Sequence, residues 1–283
     1  MTVAGSDPSG GAGIQADLKT FAAFGVYGCA VLTALTAQNT RGVSRIHQPP
    51  ADFVAQQLRD VLDDVTVDAV KIGMVGEAAT ARTIADVLVG WRSAHPGSVV
   101  VLDPVMVSTL GHRLLAEDAS HALAEQLFPV VDLITPNLPE AALLLGRPVA
   151  TDPGQMRAQA AELVDRGAPA VLVKGGHLLL PQRPSRAGRT AVDVLIDNTG
   201  IHELSGAAVD TPNTHGTGCT LSSALAAEAA IRIHGGRPVD GRWQDIATVA
   251  RSYLTRALAA GAEWRLGTGS GPVEHRVPVA GPR

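Results

Sequence analysis

The chain's densest run of chemistry-bearing residues is Asn213-Thr214-His215-Gly216-Thr217-Gly218-Cys219-Thr220, followed by small and apolar residues over 221–233. Glycines at the mouth of a helix let backbone N–H groups face an anion, and the positive end of the helix dipole adds to the attraction. Such a run suits a phosphate or oxyanion cradle, although it also reads as a Gly-containing loop entering a buried helix. It is not a Walker A loop, because no Gly-Lys-Ser/Thr follows. Cys219 falls in the first helical turn, where the dipole is expected to lower the thiol pKa toward neutrality; burial as a small apolar side chain is the commoner fate of a free cysteine.

A second glycine-rich run, residues 5–13, contains Gly5, Gly10, Gly11 and Gly13 and opens a stretch with Ile14, Leu18, Phe21 and Phe24 at helical spacing. Gly11, Gly13 and Ala16 satisfy a dinucleotide pattern, but no acid lies between Asp17 and Asp52 to hold a ribose hydroxyl, so a nicotinamide site is excluded. Close backbone approach to another ligand and a purely structural tight turn remain. Asp103, Asn137 and Glu140 follow apolar runs and are oxygen donors of the kind Mg²⁺ takes, while Glu140 also suits the first turn of a helix. Lys174, ahead of Gly175 and Gly176, can meet a phosphate as a point charge or simply face solvent. The absence of H-E-x-x-H and G-x-S-x-G removes support for a zinc protease or a serine hydrolase.

Positioning these groups requires strands and helices. Apolar runs at 2–5, 27–35, 69–73, 98–103, 131–135 and 169–174 read as buried strands. Between them Phe53, Val54, Leu58, Val61 and Leu62, then Ile84, Val87, Leu88 and Trp91, line single helical faces, as do Trp243, Ile246, Val249, Ala250, Tyr253, Leu254 and Leu258 farther on. Alternation of this kind predicts a mainly parallel sheet with helices on both faces and a site beyond the strands' carboxyl ends. Residues 181–190 read as an exposed loop, 191–197 and 201–209 as an antiparallel pair, and 267–283 as a Gly/Pro-rich tail with a loosely held end.

The 283 residues are 46% apolar and 18% charged, so a core is available and one α/β domain can take in the whole chain. A net charge of −4 without a basic stretch excludes a dedicated nucleic-acid binder. Two distant cysteines argue against a disulfide framework or thiolate zinc site. The longest uncharged run, between Lys19 and Arg41, holds Gly25, Gly28, Gln38 and Asn39 and makes a poor membrane span; with no secretory signal pattern, a cytoplasmic protein is expected.

Several stretches together resemble the hydroxymethylpyrimidine/phosphomethylpyrimidine kinase family: Ala4-Gly5-Ser6-Asp7-Pro8-Ser9-Gly10-Gly11-Ala12-Gly13-Ile14-Gln15-Ala16-Asp17, Gln38-Asn39-Thr40, Lys71-Ile72-Gly73-Met74, Thr135-Pro136-Asn137-Leu138-Pro139-Glu140-Ala141, Lys174-Gly175-Gly176-His177 and 213–220. The matches run in order to Gly271-Pro272-Val273. The resemblance implies a ribokinase-like three-layer α/β fold with a small β lid. It further implies transfer of the ATP γ-phosphate, with Mg²⁺, to a pyrimidine alcohol and then to its monophosphate, for thiamine synthesis. By position, Asp17 and Gln38 would hold the pyrimidine, with Gly5, Ala12, Met74 and Val105 lining its pocket. Lys174 would meet the transferring phosphate, Asp103, Asn137 and Glu140 would organise Mg²⁺ mostly through water, Gly216, Thr217 and Gly218 would form the anion hole, and Cys219 would be the base. The family resemblance also implies a homodimer. Ribokinase-like sugar kinases carry Asp where Cys219 stands, whereas some pyridoxal kinases share both the glycine run and the cysteine. A pyridoxal/pyridoxine kinase is therefore the alternative enzyme, and a catalytically silent pyrimidine-binding protein the alternative non-enzyme. Because the chain begins within three residues of Val3, a natural start a few residues upstream is expected. The Arg-rich residues 183–189 match no fixed family pattern.

Overall fold

A computed structural model of the chain describes residues 1–106, 123–176 and 190–279. In chain order, β1 (Thr2–Gly5) leads through α1 (Gly13–Ala23) to β2 (Ala30–Asn39), and β3 (Gly42–His47) through α2 (Ala51–Asp64) to β4 (Ala69–Ile72). Then come α3 (Ala78–Ala94), β5 (Val99–Leu102), β6 (Leu133–Ile134), α4 (Leu138–Leu145), α5 (Pro153–Asp165), β7 (Val171–Val173), β8 (Thr190–Asp197), β9 (Gly200–Ala207), α6 (Thr217–His234) and α7 (Trp243–Gly261). The strands form one sheet in the order β3-β2-β1-β4-β5-β6-β7-β8-β9. From β2 to β7 the pairing is parallel, while β3, β8 and β9 add antiparallel edges.

Each inner strand is apolar on both sides, and alternate residues divide between two cores. Val100 and Leu102 of β5 and Val171 and Val173 of β7 pack with α2 to α5, through Leu58, Leu88, Leu144 and Leu163. Val99, Val101 and Leu172 face the opposite way and pack with α1, α6 and α7, through Phe21, Leu225 and Tyr253. The alanines of α6 let it lie close against the sheet and bury almost all round. Alternation in β4 has a further effect: Val70 and Ile72 enter the first core, which sends Lys71 toward α1 and α6.

The expected three-layer α/β fold is present, with one correction. Strand β2 runs to Asn39 rather than ending at 35: its first half pairs with β1, and its second half pairs with the unforeseen β3 as a half-exposed hairpin. The described part of the tail is packed against the domain: Gly271 N–H donates to Asn213 Oδ1, Tyr253 Oη–H donates to the His275 carbonyl, and Val273 is buried. Residues 181–189 of the expected exposed loop, and 280–283 of the tail, lie outside the described residues; Thr190 opens β8.

Candidate active site

Most of the expected site residues follow the carboxyl ends of parallel strands: Gly5 ends β1, Met74 follows β4, Asp103 and Val105 follow β5, Asn137 follows β6, and Lys174 follows β7. The sheet reverses its winding at β1, between β2 and β4, which is where open α/β sheets form a ligand crevice. Gly5 and Met74 meet there: a Cβ on Gly5 would strike the Met74 methyl. A cavity of about 700 Å³ bordered by Ser98, Val99, Asp132 and Ala170 lies at the strands' opposite ends and touches none of the expected residues.

The run expected to form a cradle enters α6 tightly packed against the first glycine-rich run. Gly216 caps α6 with φ +78°, and a Cβ on it would overlap the Gly11 carbonyl, so the two glycine-rich runs pack backbone to backbone. Gly218 and Cys219 supply first-turn amides without a backbone acceptor, whereas the Thr217 N–H donates to the Thr214 carbonyl at 3.3 Å. Gly13 starts α1 close to Cys219, and its amide is one of the influences that draw the thiol's pKa down. Gly218 faces Lys174 and Asp103: a Cβ there would lie 3.3 Å from Lys174 Nζ and 3.4 Å from Asp103 Oδ2. Cradle, lysine and acid are thus one constellation.

Lys174 Nζ lies 2.6 Å from Asp103 Oδ1 and 3.9 Å from Glu140 Oε2. Burial works against its charge, but Asp103 and Glu140 outweigh that and raise its pKa, so it stays an ammonium. Asn137 and Glu140 form a capping box on α4: Glu140 N–H donates to Asn137 Oδ1 at 2.9 Å, and Asn137 N–H donates to Glu140 Oε2 at 2.8 Å. Asp103 also accepts from Thr135 at 3.1 Å and Ser222 at 3.4 Å. With these oxygens occupied, and no group of three His, Cys, Asp or Glu among the described residues able to hold a metal directly, the set fits Mg²⁺ as acceptors for its water shell.

Burial raises the Glu140 pKa to about 7, against the opposing pull of Lys174. Because the folded value lies above the unfolded one, this group's contribution to stability is full below the unfolded pKa and is lost as pH rises through about 7. Glu140→Gln keeps the capping geometry and should flatten the fall in stability between about pH 5 and about pH 8. Urea unfolding across that range checks it, and an unaltered slope would show Glu140 ionised throughout.

Gln38 lies on the outer half of β2 with its amide between Thr36 Oγ1, at 3.1 Å, and His215 Nε2, at 3.4 Å. His215 is in turn 2.8 Å from Asp7 Oδ2, which also accepts from the amides of Gly11 and Ala12. Burial opposes ionisation of Asp7, but the bonds from His215 and Ser9 prevail and hold its pKa well below the usual carboxylate range. His215 and Asp7 stand in the quoted motifs without an expected role. Their partnership, 208 positions apart, has no local sequence signal.

Two expectations need correction. Asp17 is wholly buried beneath the pocket, where it pairs with Lys71 at 2.9 Å and accepts from Thr2 at 2.6 Å and Ser223 at 2.7 Å. No oxygen of Asp17 is left for a pyrimidine. The Cys219 thiol is not brought toward neutrality: burial pushes it up to about 11, with Lys71 the leading opposing influence and Asp17 and Asp103 adding to the rise. Loss of water around the sulfur outweighs the helix dipole.

A ribokinase-like fold that brings a glycine-bounded helix N-terminus, a lysine and buried carboxylates to one crevice beside a thiol is that of a small-molecule phosphotransferase. The family model described as phosphomethylpyrimidine kinase matches residues 7–274, and the chain belongs to that family. It is 46% identical over 275 residues to a hydroxymethylpyrimidine/phosphomethylpyrimidine kinase of Rhizobium meliloti (strain 1021), covering 97% of this chain and 96% of the relative. The thiamine biosynthesis multifunctional protein ThiED of Corynebacterium efficiens is also 46% identical over 275 residues, but this chain spans 34% of that protein's length. Among solved structures, Bacillus subtilis pyridoxal kinase in an ADP complex superposes with a TM-score of 0.81 at 34% identity, covering 97% of this chain and 96% of that one. No described helix is long and apolar enough to cross a membrane.

Proposed function

We propose that this chain transfers the γ-phosphate of ATP to the hydroxymethyl group of 4-amino-5-hydroxymethyl-2-methylpyrimidine, and then a second phosphate to the monophosphate, for thiamine synthesis. The carrying observation is the approach of Gly218 to Lys174 and Asp103, which brings the N-terminus of α6 and an ammonium side by side. The match to pyrimidine kinases, at 46% identity against 34% for the pyridoxal kinase, favours the pyrimidine over pyridoxal. Retention of Lys174, the cradle and Cys219 together speaks against a silent binding protein.

In this reading Gln38 grips the ring, and Gly5, Ala12, Met74 and Val105 shape the pocket around it. The α6 amides and Lys174 hold the migrating phosphoryl oxygens, supplying the positioning and charge stabilisation that a loose transition state needs. Cys219 takes the acceptor's proton late in the step. Mg²⁺ arriving with ATP would neutralise phosphate charge, its waters held by Asp103, Asn137 and Glu140. The same reading takes residues 1–283 as one catalytic domain, supported by a single sheet that takes in strands from Thr2 to Ala207. It places the protein in the cytoplasm, where free Cys29 and Cys219 stay reduced. A homodimer belongs to it too, with exposed Leu35, Ile46 and Phe53 as candidate contacts and light scattering as its measurement.

ADP release with hydroxymethylpyrimidine, its monophosphate and pyridoxal in parallel tests the proposal; turnover with neither pyrimidine would refute it. Gln38→Ala should raise the Michaelis constant for the pyrimidine ~10-fold or more, the usual consequence of losing a buried hydrogen-bond partner, and leave that for ATP unchanged. An unaltered pyrimidine constant would remove Gln38 from the site.

A further inference from the structure

We infer that Asp193, held by Arg251, is a positioning residue for Lys174: by pinning the peptide that follows the lysine, it fixes the root of the side chain that reaches Asp103 and the N-terminus of α6. The inference rests on the proposed function for the part Lys174 plays in phosphate transfer.

Lys174 stands where the regular pairing of the sheet gives out. β7 pairs antiparallel with β8 as far as Val173 opposite Val194. Beyond that pair the Lys174 N–H donates to the Pro136 carbonyl at 2.8 Å, and the Gly175 N–H donates to Asp193 Oδ1, also at 2.8 Å, in place of a backbone carbonyl. Gly175 must be glycine, since a Cβ on it would overlap the Val192 carbonyl. A glycine here, followed by Gly176, leaves the chain wide backbone freedom. The peptide between Lys174 and Gly175 could therefore turn, and the lysine stem with it, were its N–H not bonded.

Alternation along β8 places the anchor. Val194 and Ile196 enter the core shared with α5, Leu195 enters the core shared with α7, and Asp193 lies on the Leu195 face. There Arg251 of α7 donates from Nε to Asp193 Oδ2 at 2.6 Å and from Nη2 to the Ala191 carbonyl at 3.2 Å. Asp193 is buried, and among the described residues its two carboxylate oxygens take the Gly175 and Arg251 donors, one each. Only a carboxylate offers an acceptor to both, because the amide of an asparagine would set its own NH₂ against one of them. The bonded link from Asp193 to the crevice is the Gly175 peptide, and its effect on transfer passes through Lys174.

The test is steady-state ADP release with hydroxymethylpyrimidine, each variant being checked for folding by urea unfolding. Asp193→Ala should lower the turnover number ~10- to 100-fold, the scale of a slight misplacement of a group that acts on the transferred phosphate, and leave the Michaelis constant for the pyrimidine unchanged. Asp193→Asn should lose nearly as much. Asp193→Asn combined with Arg251→Met, where the new amide oxygen is free to accept from Gly175, should regain most of the loss. In a Lys174→Met background, Asp193→Ala should cost no more than ~3-fold, because the side chain it positions is gone. A similar loss in both backgrounds, or no recovery on adding Arg251→Met, would overturn the inference alone. Full turnover by Lys174→Met would overturn it together with the role given to Lys174, and absent turnover in the natural protein would refute the kinase reading and the inference with it.

Discussion

Cys219→Ala is expected to lower the turnover number ~10²- to 10⁴-fold while both substrates still bind, the range a positioned acid or base supplies. The thiol stands in the first turn of α6, and burial pushes its pKa up to about 11. A group that basic is mostly protonated at neutral pH, so a mechanism that uses its thiolate should run faster as pH rises. Turnover is expected to climb through the mildly alkaline range instead of levelling near neutrality, and to lose that climb in the alanine variant. Cys219→Asp, a base of lower pKa in the same place, should recover part of the rate. Steady-state kinetics across pH and acid-quenched ATP incubations without acceptor are the measurements. Full activity of Cys219→Ala, or a phosphorylated enzyme trapped from ATP alone, would refute the assignment of a general base.

Lys71→Met should be the most destabilising single change considered. It leaves Asp17 charged or forces it to take a proton at a site with no access to water, since both side chains are wholly buried. Breaking a buried pair by removing one partner costs about 3 to 5 kcal/mol, a large share of a domain's net stability. Lys71→Met combined with Asp17→Asn removes both charges and should regain most of that loss. Burial works against the Lys71 charge, but Asp17 prevails and raises its pKa, which is why the pair persists ionised. Urea unfolding of the two variants decides the matter: equal losses in the single and the double would mean that lost packing, not the stranded charge, sets the cost. Since Lys71 is the main influence drawing the Cys219 thiol down, alkylation of that thiol should also shift to higher pH in the single variant.

The inner sheet was legible because strands buried on both faces read as continuous apolar runs: β1, β4, β5, β6 and β7 all fall within the spans expected for them. The outer half of β2 and all of β3 escaped that reading. Thr36 and Gln38 flank a single alanine, Asn39 follows directly, and β3 is largely exposed, so neither segment carries the buried-strand pattern. The glycine entry to α6 and the place of Lys174 just beyond β7 were legible from glycine spacing and strand ends. Asp17 departs from the role its motif implies because the lysine inside Ala69-Val70-Lys71-Ile72 claims it as a partner. A cation in a doubly buried strand is itself a signal that an acid waits behind it. The thiol was misjudged because the dipole was weighed without the desolvation that only packing reveals. The contacts of Gln38 and Asp7 with His215 join opposite ends of the chain, which no local pattern records.

Strand β2 is anchored over its first half in the interior and projects over its second half into the exposed hairpin that carries Gln38. Recognition and phosphate transfer are therefore carried by parts of the chain with different tolerance for change. Substitutions on an exposed hairpin usually alter stability by about half a kcal/mol or less, whereas those around Lys71, Asp103 or Gly216 disturb buried charge or backbone contacts. A lineage can thus exchange the group that reads the acceptor without dismantling the apparatus that moves the phosphate. Kinases for different vitamins on one scaffold are what such a division of labour would produce, and libraries randomised over residues 35–47 are where a new acceptor should be sought first.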